Sequence, residues 1–183
     1  MSLRIIGGAW KGRRIEAPPG LDTRPLMDRI KQSLFDWLGQ DLDGCTVADA
    51  CAGSGSFAFE AASRGASVVH ACEPGHAFAT LADNHLELGS PSAVVLHRVT
   101  FQRVLPTLSG LDLVFCDPPF PWFSEDPASI ATLLSLAAAA ILPTGAVIIR
   151  GEEGSSLPVV AGLREEERRS YGRSWVALLR RLS

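Results

Sequence analysis

"TVADACAGSGSFAFEA", residues 46–61, contains the change of chain direction that decides the fold. A short apolar run from Thr46 to Ala50 reads as a strand and carries a carboxylate, Asp49, near its end. Gly53-x-Gly55-x-x-Ala58 follows at once and opens a helical stretch near 56–64. Glycines at such a junction let the backbone turn sharply and approach a ligand closely, while the first N–H groups of the helix face it. Strand, glycine loop and helix are the first half of a βαβ unit. Taken alone, the pattern fits a nicotinamide dehydrogenase equally well.

Outward from this stretch, strands and helices alternate. Further strands are expected at Ser67–Glu73, Ala93–Val99, Leu111–Asp117 and Ala146–Arg150, with helices near 75–88 and 127–141. Alternation of this kind predicts a parallel sheet covered on both faces. The tail differs: a turn-forming Tyr171-Gly172 precedes the apolar run Trp175 to Leu179, so two final strands should make an antiparallel edge. The fold class expected is α/β and Rossmann-like, a mostly parallel seven-stranded sheet. Ahead of it, "LRIIGGAWKGRRIEA" reads as two short strands of a hairpin. From Pro25, the residues Leu26, Ile30, Leu34, Trp37 and Leu38 share one helical face, with Gly39 as the stop. The whole chain, 1–183, reads as a single domain with residues 1–40 as a hairpin-helix extension.

Composition narrows the class. With 46% hydrophobic and 20% charged residues, the chain resembles an ordinary globular protein. No apolar stretch approaches the roughly 20 residues a membrane span needs. Cys45, Cys51, Cys72 and Cys116 form no C-x-x-C pair, so reduced structural thiols, no metal and a cytoplasmic setting are expected. The net charge of −3 is uneven: residues 1–40 carry +3, residues 41–160 carry −9 and residues 161–183 carry +3. Basic ends around an acidic centre suit a catalytic region flanked by a surface for a polyanion, or simply solvated faces.

In a parallel sheet, ligands bind beyond the carboxyl ends of the strands. Asp49, Glu73 and Asp117 all fall there and should converge on one cleft. Glu73 is placed for a ribose diol. Asp49 is an odd neighbour for a pyrophosphate but suits the cationic amino-acid end of S-adenosylmethionine; a helix-capping role is the alternative. At "VFCDPPFPWF", residues 114–123, two prolines without N–H groups end the strand and fix the path beyond Asp117. Such a corner can template a planar amine. The Asp117 carboxylate and the Pro118 carbonyl would accept its two hydrogens, and Phe120 would stack on the base. Trp122 and Phe123 read equally as a stacking lip or as loop anchors.

On these residues the chain resembles the RsmD-like bacterial small-subunit (16S) ribosomal RNA guanine-N2 methyltransferases, a branch of the class I S-adenosylmethionine-dependent methyltransferases. The similarity runs through "RIIGGAWKGRRI", "TRPLMDRIKQSLFDWL", "DACAGSGSFAFEAASRGA", "DPPF" and "YGRSWVALLRR". It implies that Asp117, Pro118, Pro119 and Phe120 bind the target amine, and that Asp49, Gly53, Gly55 and Glu73 hold the cofactor. Val99 and Thr100 stand where the family commonly has an acidic or amide residue followed by alanine near the adenine, which leaves Thr100 as the cofactor position there. Lys11, Arg13, Arg14, Arg24 and Arg29, with Lys31, are expected to meet RNA phosphates. The implied partner is ribosomal RNA, within an assembling small subunit, and the implied state is a monomer. Three alternatives stay open: an adenine-N6 methyltransferase, a nucleotide-dependent oxidoreductase and a catalytically silent RNA-binding protein.

Overall fold

The computed structural model describes residues 2–17 and 28–182, without the side chains of Ser2 and Arg29. The expected Pro25 start of the first helix, with Arg24 and Leu26, lies outside the described residues. A two-stranded antiparallel hairpin, β1 (Ser2–Arg4) with β2 (Arg14–Glu16), leads to helix α1 (Asp28–Leu38). Then come β3 (Thr46–Asp49), α2 (Ser56–Ser63), β4 (Val68–Cys72), α3 (Ala77–Glu87) and β5 (Val94–His97). The stretch after Val99 forms a single helical turn, α4 (Phe101–Val104), before β6 (Leu111–Cys116). A short α5 (Trp122–Glu125), the longer α6 (Pro127–Ala140), β7 (Ile141–Glu152), β8 (Leu163–Tyr171) and β9 (Ser174–Arg181) complete the chain.

The seven strands stand in the order β5-β4-β3-β6-β7-β9-β8. The first five run parallel, and β9 lies antiparallel between β7 and β8. Val47, Ala48, Val114 and Phe115 are wholly buried because helices cover both faces of the sheet. On one face Phe57 of α2 stacks on Phe115, with ring centroids 4.2 Å apart, and Leu34, Phe35 and Leu81 fill in around them. On the other, Ile130, Leu133 and Leu134 of α6 pack on Val147 and Ile149. Asp126 caps α6 by accepting from the Ser129 N–H at 3.2 Å, with Pro127 at the first helical position. The charged edge strand β8 pairs Arg168 with Glu165 and Arg169 with Glu167, which blunts an otherwise open edge. No helix among the described residues is long and apolar enough to cross a membrane.

Strand β7 is longer than Ala146–Arg150. It begins at Ile141, which pairs with Leu111 before the register shifts. Pro143 and Gly145 hide this start in the sequence, because both are strand breakers that an irregular register tolerates.

The hairpin is fastened to α2 by Glu60, whose side chain is fully buried. Its two carboxylate oxygens accept from the Ile6 N–H at 2.9 Å and the Gly7 N–H at 2.8 Å, and also from Arg64 Nε at 3.0 Å. Lys31 Nζ stands 3.4 Å from the same carboxylate, with no side-chain exposure, and donates to the Arg4 carbonyl. Lys31 is therefore not a phosphate contact; this expectation is corrected. One helical turn before Leu34 and Phe35, it lies on the buried face of α1. Asn84 of α3 makes a second fastening. It exchanges hydrogen bonds of 2.8 Å with the Glu16 backbone and donates to the Ser54 carbonyl at 3.0 Å, tying β2 to the glycine loop.

Candidate active site

The parallel registers align Asp49 with Ala71 and Phe115, so β3, β4 and β6 end level with one another. Asp49, Glu73 and Asp117 thus gather beyond the carboxyl ends of these strands, where the charges of Asp117 and Glu73 act on Asp49. Asp49 is almost wholly buried, and its Oδ2 accepts from the Ala58 N–H of α2 at 3.1 Å. It caps the helix with that oxygen, while the buried Oδ1 has no hydrogen-bond partner of normal geometry among the described residues. Burial, with the charge of Asp117 adding to it, raises the Asp49 pKa to about 7.

The glycines of the loop do two different things. Both have left-handed backbones, φ 55° at Gly53 and 85° at Gly55. A Cβ at Gly55 would strike Phe59 at 2.4 Å and Leu81 at 2.6 Å, so this glycine also allows close packing inside the fold. A Cβ at Gly53 would meet nothing within 4 Å, which leaves its backbone facing open space. Glu73 spans the loop ends, its two oxygens accepting from the Gly53 N–H at 3.1 Å and the Gly75 N–H at 2.8 Å. Thr100 is exposed and precedes α4, where its carbonyl accepts from the Arg103 N–H at 3.0 Å.

Asp117 follows β6, with Pro118 buried and Pro119 and Phe120 half-buried after it. Its carboxylate is gripped by Arg150 of β7, Nε to Oδ1 at 2.8 Å and Nη2 to Oδ2 at 2.9 Å. Burial raises the Asp117 pKa, and Arg150 opposes the rise. The Arg150 guanidinium also sits 5.0 Å from the centre of the Phe120 ring. Arg150 escaped the sequence reading; the available signal was an arginine ending an apolar strand predicted to lie in the same sheet. Trp122 contacts Phe101, and Phe123 meets Trp175 edge-on at 5.5 Å, so both anchor the loop after the corner.

On the hairpin, Lys11, Arg13 and Arg14 are exposed. Arg13 donates to the Glu87 and Leu88 carbonyls at the end of α3, which ties its guanidinium to the fold. A concavity of about 440 Å³ opens beside Lys11, with Arg4, Asp28 and Gln32 in its wall.

Sheet order, antiparallel final hairpin and strand-end carboxylates together define a class I methyltransferase fold. The chain belongs to the family described as Conserved hypothetical protein 95, whose pattern matches residues 3–180. It is 34% identical over 119 residues to the ribosomal RNA small subunit methyltransferase D of Escherichia coli K12, covering 64% of this chain and 60% of that protein. Against the protein of the same name in Haemophilus influenzae it is 35% identical over 123 residues, covering 64% of each. The matched region thus spans less than two thirds of these relatives' lengths. Among solved structures, the yhhF protein of Escherichia coli superposes with a TM-score of 0.84 at 25% identity, covering 99% of this chain and 98% of that one.

Proposed function

We propose that the protein transfers a methyl group from S-adenosylmethionine to the exocyclic N2 amine of a guanine in small-subunit ribosomal RNA. The observation that carries this reading is the Asp117-Pro118-Pro119-Phe120 corner at the same end of the sheet as Asp49 and Glu73, in a chain of this family.

The residues fit such a cofactor. The Asp49 carboxylate, whose buried Oδ1 lacks a hydrogen bond of normal geometry, suits a cation, the open backbone of Gly53 gives room, and each Glu73 oxygen keeps acceptor capacity for a ribose diol. A pyrophosphate would instead bring negative charge against two carboxylates, which disfavours the oxidoreductase reading. When bound, the cofactor supplies a methyl group on a positively charged sulfur. The protein's task is to hold a weakly nucleophilic amine in line with it. Asp117 and the Pro118 carbonyl accept the two amine hydrogens, and Phe120 supports the ring. Positioning of this kind, rather than acid–base power, supplies the rate.

Binding should be linked to pH through Asp49. Its folded pKa of about 7 lies well above the ordinary carboxylate value of 3.8. Ionising it therefore costs the free protein stability as pH rises toward 7, and a bound cation offsets that cost. Affinity for S-adenosylmethionine is expected to weaken as pH falls through 7, by at most about tenfold per unit for one proton. Calorimetry in buffers of different ionisation enthalpy should show proton release on binding near pH 6, and Asp49→Asn should abolish it. Preference for NAD, or binding without proton release, contradicts the assignment.

The exposed hairpin cations favour a polyanion as partner. Each phosphate contact contributes about 0.7 to the log–log salt slope for single-stranded RNA, so Lys11→Ala with Arg14→Ala should flatten the slope by about 1. Cofactor affinity should not change. A slope equal to that of the unaltered protein would place the RNA surface elsewhere.

A further inference from the structure

Arg150 is a buried cation at the end of an apolar run, Ala146 to Ile149, where packing alone needs none. Desolvating a guanidinium is costly unless it is paired with good geometry. Here β7 lies parallel to β6 with Ile149 opposite Cys116, which brings Arg150 beside Asp117 one step further on. Two parallel N–H···O bonds close the pair, with side chains 7% and 18% exposed, and the same guanidinium faces the Phe120 ring.

We propose that Arg150 is a positioning residue of the methyl-transfer site, fixing the plane of the Asp117 carboxylate relative to the Phe120 ring so that a purine amine meets both in one orientation. The inference rests on the function proposed above. Carboxylate rotation about its last bond is broad and roughly two-fold in a free side chain. The arginine fork removes that freedom, yet it uses only two of about four lone-pair sites and leaves acceptor capacity for the amine. Charge is the second half of the role. Asp117 lies near enough to Asp49 on β3 for its charge to raise the Asp49 pKa, and its charge also acts on the Cys116 and Cys51 thiols of β6 and the glycine loop. Arg150 from β7 opposes the rise that burial imposes on the Asp117 pKa, and so favours the charged carboxylate.

Two variants separate these halves. Arg150→Lys keeps the charge and loses the fork, so kcat on small-subunit RNA should fall by about 10²-fold, as for a misplaced reacting group, with the acid limb of the pH profile little moved. Arg150→Met loses both, so kcat should fall and the acid limb should also move to higher pH. Cofactor affinity should hold in each. Carbon-13 NMR of the Asp117 carboxyl gives a readout independent of turnover, and its titration should move to higher pH in Arg150→Met. Should that variant not fold, the drop in kcat of Arg150→Lys decides. Turnover and titration equal to the unaltered protein, or faster turnover in either variant, overturn the proposal. If the unaltered protein methylates no RNA, the functional reading fails, and the carboxyl titration still tests the pairing.

Discussion

Asp117→Ala is expected to lower methyl transfer by about 10²–10³-fold, the range for deleting a preorganised hydrogen-bonding group of a transition state. Cofactor affinity should stay close to normal, because the cofactor contacts assigned to Asp49, Gly53 and Glu73 lie on other strands and loops. The structure adds a second expectation. Arg150 loses its carboxylate in this variant while remaining buried, so stability should drop by about 1–3 kcal/mol. Single-turnover kinetics at saturating cofactor, alongside a denaturant melt, separates the two effects. A near-normal rate in a folded Asp117→Ala protein is incompatible with its proposed role.

Glu60→Ala should produce the largest loss of stability. It leaves Lys31 and Arg64 buried without their shared carboxylate and strands the Ile6 and Gly7 N–H groups. Breaking a buried pair of this kind costs about 3–5 kcal/mol, which for a chain of this size lowers Tm by roughly 6–20 °C. Burial already pulls the Lys31 pKa down while Glu60 holds it up, so the variant also favours a neutral Lys31. Hydrogen exchange should locate the damage, with Ile6 and Gly7 losing protection before the sheet does. A Tm within a few degrees of the unaltered protein would show that the clasp is not what holds the hairpin.

The strand–helix alternation was legible because its signals are local. Gly53 and Gly55 mark the first turn from strand to helix, and Val47–Ala48 and Leu113–Cys116 read as apolar runs because both faces of β3 and β6 are covered. The carboxylates at the strand ends were legible for the same reason: once strands are placed and parallel, their ends must share a side. What stayed hidden depends on partners far along the chain. Arg150 meets a residue 33 positions away, and Arg13 reaches the carbonyl of a residue 74 positions away. A lysine in a basic stretch looks like a phosphate contact until its helical face is counted against Leu34 and Phe35 and a buried Glu60 is found opposite it. Asp49 combines both situations. One oxygen caps α2, a role its spacing allowed, and the other is buried without a hydrogen-bond partner of normal geometry, which only the packed structure displays.

The identity of the methylated atom decides between the possible reactions. Unmodified small-subunit particles incubated with the protein and S-adenosylmethionine labelled in its methyl group, followed by complete digestion of the RNA and separation of the nucleosides, identify it directly. The label is expected in N2-methylguanosine, and its initial rate of incorporation is expected to fall by about 10²–10³-fold with Asp117→Ala. Label in N6-methyladenosine, or none in RNA at all from a protein that binds the cofactor, would contradict transfer to guanine N2.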